Sequence, residues 1–250
     1  MEKQSQIFVE SFKNNANHLG LLCVEGIDAK KFLQGQLTCN LDEVSTTQTR
    51  MGAHCNPQGR VISLFHLIYT EERYYLQMQR AMVPIALAAL KKYAIFFKVT
   101  LSDVSDQWKK LVTENTHLSA ENKQHFNFEE NIPTIYPETS EKFLPHEINL
   151  PQLEAISFNK GCYTGQEIIA RMHYRGKAKS QLRHGTVQTE SVPQRGADIY
   201  DQTNVAGMVV DYYQTSDTTY ELQIVSAKTE NLFLDSSKCC LIAVAGNPKV

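Results

Sequence analysis

The sequence predicts an α+β core followed by a small antiparallel β-barrel. Strand-like runs alternate with two helix-like segments across the first hundred residues. After Gly176 the texture changes to short strand-like segments at regular spacing, separated by Asn, Asp, Ser and Gly, the pattern of a small barrel. The chain of 250 residues is 42% hydrophobic and 21% charged, ordinary for a globular protein and enough for one large domain or two smaller ones. The expected division is a core over 1–178, in halves of about 1–103 and 104–178, and a barrel over 179–250.

The first strand is "LGLLCVEG", residues 19–26. A short helix follows, with Asp28 as N-cap, Phe32 and Leu33 inward and Gly35 as its end. A hairpin then turns at Asn56-Pro57-Gln58-Gly59, with Pro and Gly at the second and fourth turn positions. The returning "RVISLFHLIYT" is almost continuously apolar, so a strand covered on both faces is expected. "RYYLQMQ" reads as a strand after the Glu71-Glu72 turn. "MVPIALAALKKY" reads as a helix with Leu87, Leu90 and Ala94 on one face and Pro84 in its first turn. "AIFFKVTLSD" reads as the closing strand, giving three or four strands on two helices. Residues 104–124, which hold the single Trp108, are polar and weakly patterned and read as a linker. A short helix is expected around 153–156. The barrel strands are "QLRHGTVQ", "GADIYD", "VAGMVVDYYQ", "TTYELQIVSA", "LFLD" and "CCLIAVAG".

A net charge of −2 supplies no general attraction to nucleic acid or to anionic membranes. The polar N-terminus has no signal-peptide pattern, and no stretch approaches the ~18 apolar residues of a membrane span. The six cysteines, Cys23, Cys39, Cys55, Cys162, Cys239 and Cys240, form no C-x-x-C pair and read as reduced thiols. The expected compartment is the cytoplasm.

The chemistry concentrates at "NKGCYTGQEI", residues 159–168. Thr164-Gly165-Gln166-Glu167 fits a capping box, so a helix is expected from Thr164 to about Tyr174, with Ile168, Ile169 and Met172 inward and Gly176 as its stop. Cys162 then lies two residues ahead of the cap, where the positive end of the helix favours a thiolate. It reads either as a reactive thiol or as a small buried hydrophobe. Lys160 stands beside it, and Arg171 and Arg175 are spaced i, i+4 for a nearby anion. Each of the three also reads as an ordinary solvated charge.

The octapeptide "KGCYTGQE" resembles the hallmark motif of the YgfZ family of folate-binding proteins, relatives of the glycine-cleavage T protein (aminomethyltransferase). "GIDAKKFLQGQLT", "NPQGRV", "LKKYAIFFKVTLSD" and "PHEINL" agree with the same family in the same order, so the resemblance spans most of the chain. It implies a T-protein-like, tetrahydrofolate-binding α+β core with a C-terminal barrel. It also implies support of iron–sulfur cluster assembly or repair, and through it of tRNA methylthiolation. The implied partners are folate and iron–sulfur proteins or their assembly machinery, with no membrane and no direct nucleic-acid contact. In the resemblance Cys162 is the functional thiol with Lys160 beside it, and Glu129 matches the acid that faces the pterin, where a carboxylate can accept two parallel N–H bonds. Lys160, Tyr163, Gln166, Arg171 and Arg175 complete the implied folate contacts, the cations near the glutamyl carboxylates. Glu129 with Glu130 also reads as a plain acidic turn.

The chain departs from the T-protein pattern after the Asn56–Gly59 turn. Residues 60–65, "RVISLF", carry no acid where the aminomethyltransferase has an acidic pair. Aminomethyl transfer is therefore the second reading, and a folate-binding scaffold with an inert Cys162 the third. A cysteine hydrolase would need His146 or His173 as partner. "RMHYRGKAKSQLR" is locally basic, as a solvated helix end before a linker also is.

Overall fold

The computed structural model describes residues 18–106, 127–128, 130–176, 178–202, 204–235 and 240–244. Strand β1 (Leu19–Glu25) leads into helix α1 (Ala29–Gln34). Strands β2 (Arg50–Cys55), β3 (Val61–Thr70) and β4 (Arg73–Gln79) follow, then helix α2 (Val83–Ala94) and strand β5 (Thr100–Asp103). They form one five-stranded sheet in the order β2-β3-β4-β1-β5, with antiparallel neighbours throughout. Phe32 and Leu33 of α1 and Val83, Ala86 and Leu90 of α2 share one core with Leu22 and Val24 of β1 and Phe65 and Leu67 of β3. The nearly continuous apolar run of β3 is buried along most of its length, as a strand covered on both faces must be.

Three local expectations are corrected. The last strand begins only at Thr100; in the preceding apolar run Ile95 and Phe96 are exposed, while Phe97 turns in onto Phe32 and Val99 packs on the same core. The short helix expected around 153–156 is absent; the helical turn lies earlier, at Pro145–Ile148, and Asn149 and Glu154 both take positive φ, which stops a helix from propagating. Asp28 precedes α1, but its side chain makes no cap bond and instead accepts from Lys98 N. Trp108 and most of the expected linker lie outside the described residues.

Helix α3 (Gln166–Arg175) leads to strands β6 (Gln181–Gln188), β7 (Asp198–Asp201), β8 (Asn204–Ser216), β9 (Thr219–Ser226), β10 (Leu232–Phe233) and β11 (Leu241–Val244). These close a barrel in the order β10-β11-β6-β9-β8-β7. Val187, Ile199, Val209, Leu222, Ile224 and Ile242 fill its interior. Leu182, Val210 and Val225 join the core of the sheet and helices instead, so barrel and sheet share apolar contact. Asn127, Asn131, Ile132 and Tyr136 are fixed to the barrel by polar contacts. Gln223 donates to the carbonyls of Asn127 and Ile132, His184 Nε2 lies 2.9 Å from Asn131 Oδ1, and Tyr136 donates to Asp211.

Candidate functional site

The residues of the cysteine motif are laced to the segment that follows α1. Thr38 is the hub, and it is fully buried. Its hydroxyl donates to Ala155 O at 2.7 Å and accepts from Ala53 N at 2.8 Å. Its backbone pairs with Ala53 and, at 2.9 Å, takes the N–H of Ser157. Three residues further on, Lys160 Nζ donates to Leu37 O and Cys39 O, both at 2.7 Å. Thr164 N donates to Gly35 O, and the Thr164 hydroxyl lies 3.2 Å from Gln36 Oε1.

That last contact explains why the capping box does not form. Helix α3 starts at Gln166, with Gly165 at the N-cap position and no side-chain cap. Gly165 has φ +83°, a backbone that glycine adopts without strain. Above it lies the Asn56–Gly59 hairpin turn, closed by Gly59 N donating to Asn56 O at 2.9 Å, with Gly59 itself at φ +75°. The turn is braced from the far side. Asn56 Nδ2 donates to Glu141 Oε2 at 2.7 Å, and the Arg60 guanidinium donates to Lys142 O.

Within this frame the motif side chains divide sharply. Cys162 is exposed, so it is not a core residue. Lys160 is half-buried, its ammonium taken by two carbonyls and lying 5.2 Å from the Tyr163 ring centroid. Burial pulls its pKa down to about 8. Tyr163 is buried at 7% exposure, and burial pushes its hydroxyl pKa up, with Cys55 adding to the shift. Gln166 is half-buried at the start of α3, and Arg171 and Arg175 are exposed on it. Ile169 is the buried residue of α3, with Ile168 and Met172 half-buried. Glu129 lies outside the described residues. The structure thus brings Lys160, Cys162, Tyr163 and Gln166 onto one short loop and helix start, with the arginines along the same helix.

Cys39 and Cys55 are buried, and burial raises both thiol pKa values, Cys39 to about 11. Neither is poised to react at neutral pH. The histidines proposed for a thiol hydrolase serve elsewhere. His173 stacks on Phe158 at 3.6 Å between ring centroids, and both ring nitrogens of His146 are buried with no hydrogen-bond partner among the described residues. No hydrogen bond joins either histidine to Cys162 among the described residues. Among those residues no cluster of three or more His, Cys, Asp or Glu could hold a metal ion.

Sequence reasoning missed Thr38 and Glu141. Thr38 ends the segment "GIDAKKFLQGQLT", one of the stretches that resemble the family, and that position was the available signal. Nothing local marks Glu141.

Comparison with known proteins places this arrangement. No family model matches the chain. An uncharacterised protein of Haemophilus influenzae is 35% identical over 211 residues, covering 72% of this chain and 75% of that protein. The tRNA-modifying protein YgfZ of Colwellia psychrerythraea is 26% identical over an alignment of 284 residues, covering 89% and 87% of the two chains. That of Vibrio atlanticus is 25% identical, covering 86% and 83%. The chain belongs to the YgfZ family. Its fold is that of the T protein. The crystal structure of the glycine cleavage system aminomethyltransferase T from Bartonella henselae superposes with a TM-score of 0.64 at 13% identity, over 93% of this chain and 86% of that one. The six-stranded barrel of this YgfZ-family chain, closed by β10 pairing with both β7 and β11, agrees with the expected α+β core and terminal barrel. No helix among the described residues is long and apolar enough to cross a membrane.

Proposed function

We propose that this protein is a tetrahydrofolate-binding accessory protein of the YgfZ kind, with Cys162 as its working thiol. It supports iron–sulfur cluster assembly or repair in the cytoplasm and, through it, tRNA methylthiolation. The observation that carries the reading is the contrast around Cys162. Hydrogen bonds fix the chain on both sides of it, at Ser157, Lys160 and Thr164, while the thiol itself is exposed. Fixing a backbone this firmly around one exposed nucleophile is the arrangement that thiol chemistry needs, since a held geometry lowers the entropic cost of reaction.

The residues on hand fit folate unequally. Arg171 and Arg175 suit the glutamyl carboxylates, being exposed, one helical turn apart and in no salt bridge among the described residues. Lys160 does not suit a carboxylate in this arrangement, because its ammonium is already donated to Leu37 and Cys39. It acts as a positioning residue for the loop that bears Cys162. Tyr163 and Gln166 line the same loop, and Glu129 is the proposed pterin partner. Bound tetrahydrofolate would supply a carrier of one-carbon units. Aminomethyl transfer is not favoured, since residues 60–65 bring no acid to the Asn56–Gly59 turn, and Glu141, which does reach it, is taken by Asn56 Nδ2.

Two measurements test the proposal. Calorimetric titration with tetrahydrofolate should give saturable binding that weakens by roughly tenfold or more in Arg171→Ala/Arg175→Ala and in Glu129→Ala. No binding by the parent chain would remove the folate assignment. In cells lacking their own YgfZ, Cys162→Ala should fail to restore the activity of an iron–sulfur enzyme that makes methylthiolated tRNA. Full restoration would end the thiol assignment.

A further inference from the structure

One corner of the core carries apolar side chains that the fold does not use. Ile27 is 87% exposed, Ile95 77% and Phe96 80%. Ile27 lies in the turn between β1 and α1, while Ile95 and Phe96 follow the end of α2. The two turns are clamped together. Lys98 N donates to Asp28 Oδ2 at 2.8 Å, Asp28 N donates to Lys98 O, and Gly26 packs so close that a Cβ there would overlap Lys98 O. Phe97 anchors the corner below, its ring centroid 5.4 Å from that of Phe32. The three side chains therefore stand on a braced backbone, where presenting them to a partner costs little ordering entropy.

The surroundings are basic. Lys31, Lys91, Lys92 and Lys98 are exposed around this corner, and none is in a salt bridge among the described residues. Lys30 is paired with Asp42. Of the carboxylates at the corner, Asp28 accepts the Lys98 backbone N–H and Glu25 is paired with Arg73. Local charge is positive on a chain whose net charge is −2.

We infer that this corner is a docking surface for a protein partner, one that presents an apolar pocket rimmed by Asp and Glu. The inference does not depend on the folate or thiol reading. The apolar trio supplies the buried centre and the lysines the charged rim, the usual arrangement of a specific interface. The chemistry favours protein over the other anionic surfaces. Two of the three apolar residues are isoleucines, which offer no flat face on which a base could stack. Three side chains on a protruding corner also fall short of the long apolar face by which amphipathic elements lie in a bilayer.

The test is selection of random displayed peptides on the immobilised full chain, followed by fluorescence anisotropy of the recovered peptides. The expected peptides carry Asp or Glu flanking Leu, Phe or Trp, and their binding weakens with salt. Their affinity should fall by roughly tenfold or more in Phe96→Ser and again in Ile27→Ser, and stay unchanged in Arg171→Ala/Arg175→Ala. Selection on Lys91→Glu/Lys92→Glu should instead recover Lys- and Arg-flanked peptides. All these substitutions are at exposed positions, so the variants should keep the parent melting temperature. Recovery of peptides indifferent to Phe96→Ser, or with no acidic bias, overturns the inference. So does tight binding of phosphatidylglycerol vesicles or of oligouridylate that Lys91→Glu/Lys92→Glu abolishes, because the occupant would then be a membrane or a nucleic acid.

Discussion

Gly165 lies so close beneath the hairpin turn that a Cβ on it would come within 2.6 Å of Asn56 O. Its φ of +83° disfavours any other residue independently of that contact. The obstacle is backbone, which cannot swing aside as a flexible side chain would. Gly165→Ala should therefore cost about 2 kcal/mol or more, from left-handed strain of about 1–3 kcal/mol plus displacement of the turn. Gly161, two residues earlier than Tyr163, would place a Cβ with nothing within 4 Å among the described residues. Gly161→Ala should stay within about 0.5 kcal/mol of the parent. Urea unfolding midpoints check the pair, and equal midpoints would show that the turn does not press on Gly165.

Lys160 ties the motif loop to the buried backbone of Leu37 and Cys39. Lys160→Met keeps much of the side-chain length and removes both donors. Two carbonyls then lose a charged partner, at a cost of about 1.5–3 kcal/mol. The loss should be local as well as global. Hydrogen exchange at the Ser157 and Thr164 amides, which donate to Thr38 O and Gly35 O, should speed up more than exchange in the barrel. Uniform change across the chain would contradict a positioning role for Lys160.

How far these features were legible in the sequence depends on where each residue finds its partners. The strands were readable because their apolar pattern is set by burial along the segment itself, as in β3 and the barrel strands. The start of α3 was misread because Thr164 spends its hydroxyl on Gln36, 128 positions away, and not on its own helix. Thr38 was missed for the same reason, its hydroxyl partner lying 117 positions on. The run ahead of β5 was read as strand because it is apolar, but Ile95 and Phe96 face solvent. Composition cannot separate an apolar residue that packs from one that is presented. Within the candidate site, the loop around Cys162 was legible as a motif, and the lattice of bonds holding it was not.

His54 is 1% exposed, and neither ring nitrogen has a hydrogen-bond partner among the described residues. Burial, with a smaller contribution from Lys92, lowers its pKa from 6.5 to about 4. The folded state therefore keeps the ring neutral where the unfolded state takes a proton. The stability this group contributes is full above pH 6.5 and is lost as pH falls from 6.5 towards 4. A shift of that size corresponds to a loss on the order of 3 kcal/mol. His54→Leu should flatten this acid limb of the stability curve, measured as urea midpoints across that pH range. An unchanged limb would mean that other groups set it.

Asp211 of the barrel is 2% exposed, and Arg195 is its salt-bridge partner, Nε to Oδ1 at 2.7 Å. The guanidinium sits 3.9 Å from the Tyr136 ring centroid and 4.7 Å from that of Tyr212, and the Tyr136 hydroxyl donates to the second carboxylate oxygen. Burial raises the Asp211 pKa, and Arg195 opposes that rise. Arg195→Ala should cost about 3–5 kcal/mol at neutral pH by removing this cation from a buried carboxylate. Arg195→Lys should recover little of this, because an ammonium cannot replace a planar group held between two rings. The pH dependence should run opposite to that of His54. A carboxyl whose folded pKa is raised destabilises as pH climbs through that value, so the deficit of Arg195→Ala should shrink on acidification as Asp211 takes up a proton. A deficit independent of pH would show that the loss is one of packing on Tyr136 and Tyr212, and not of charge.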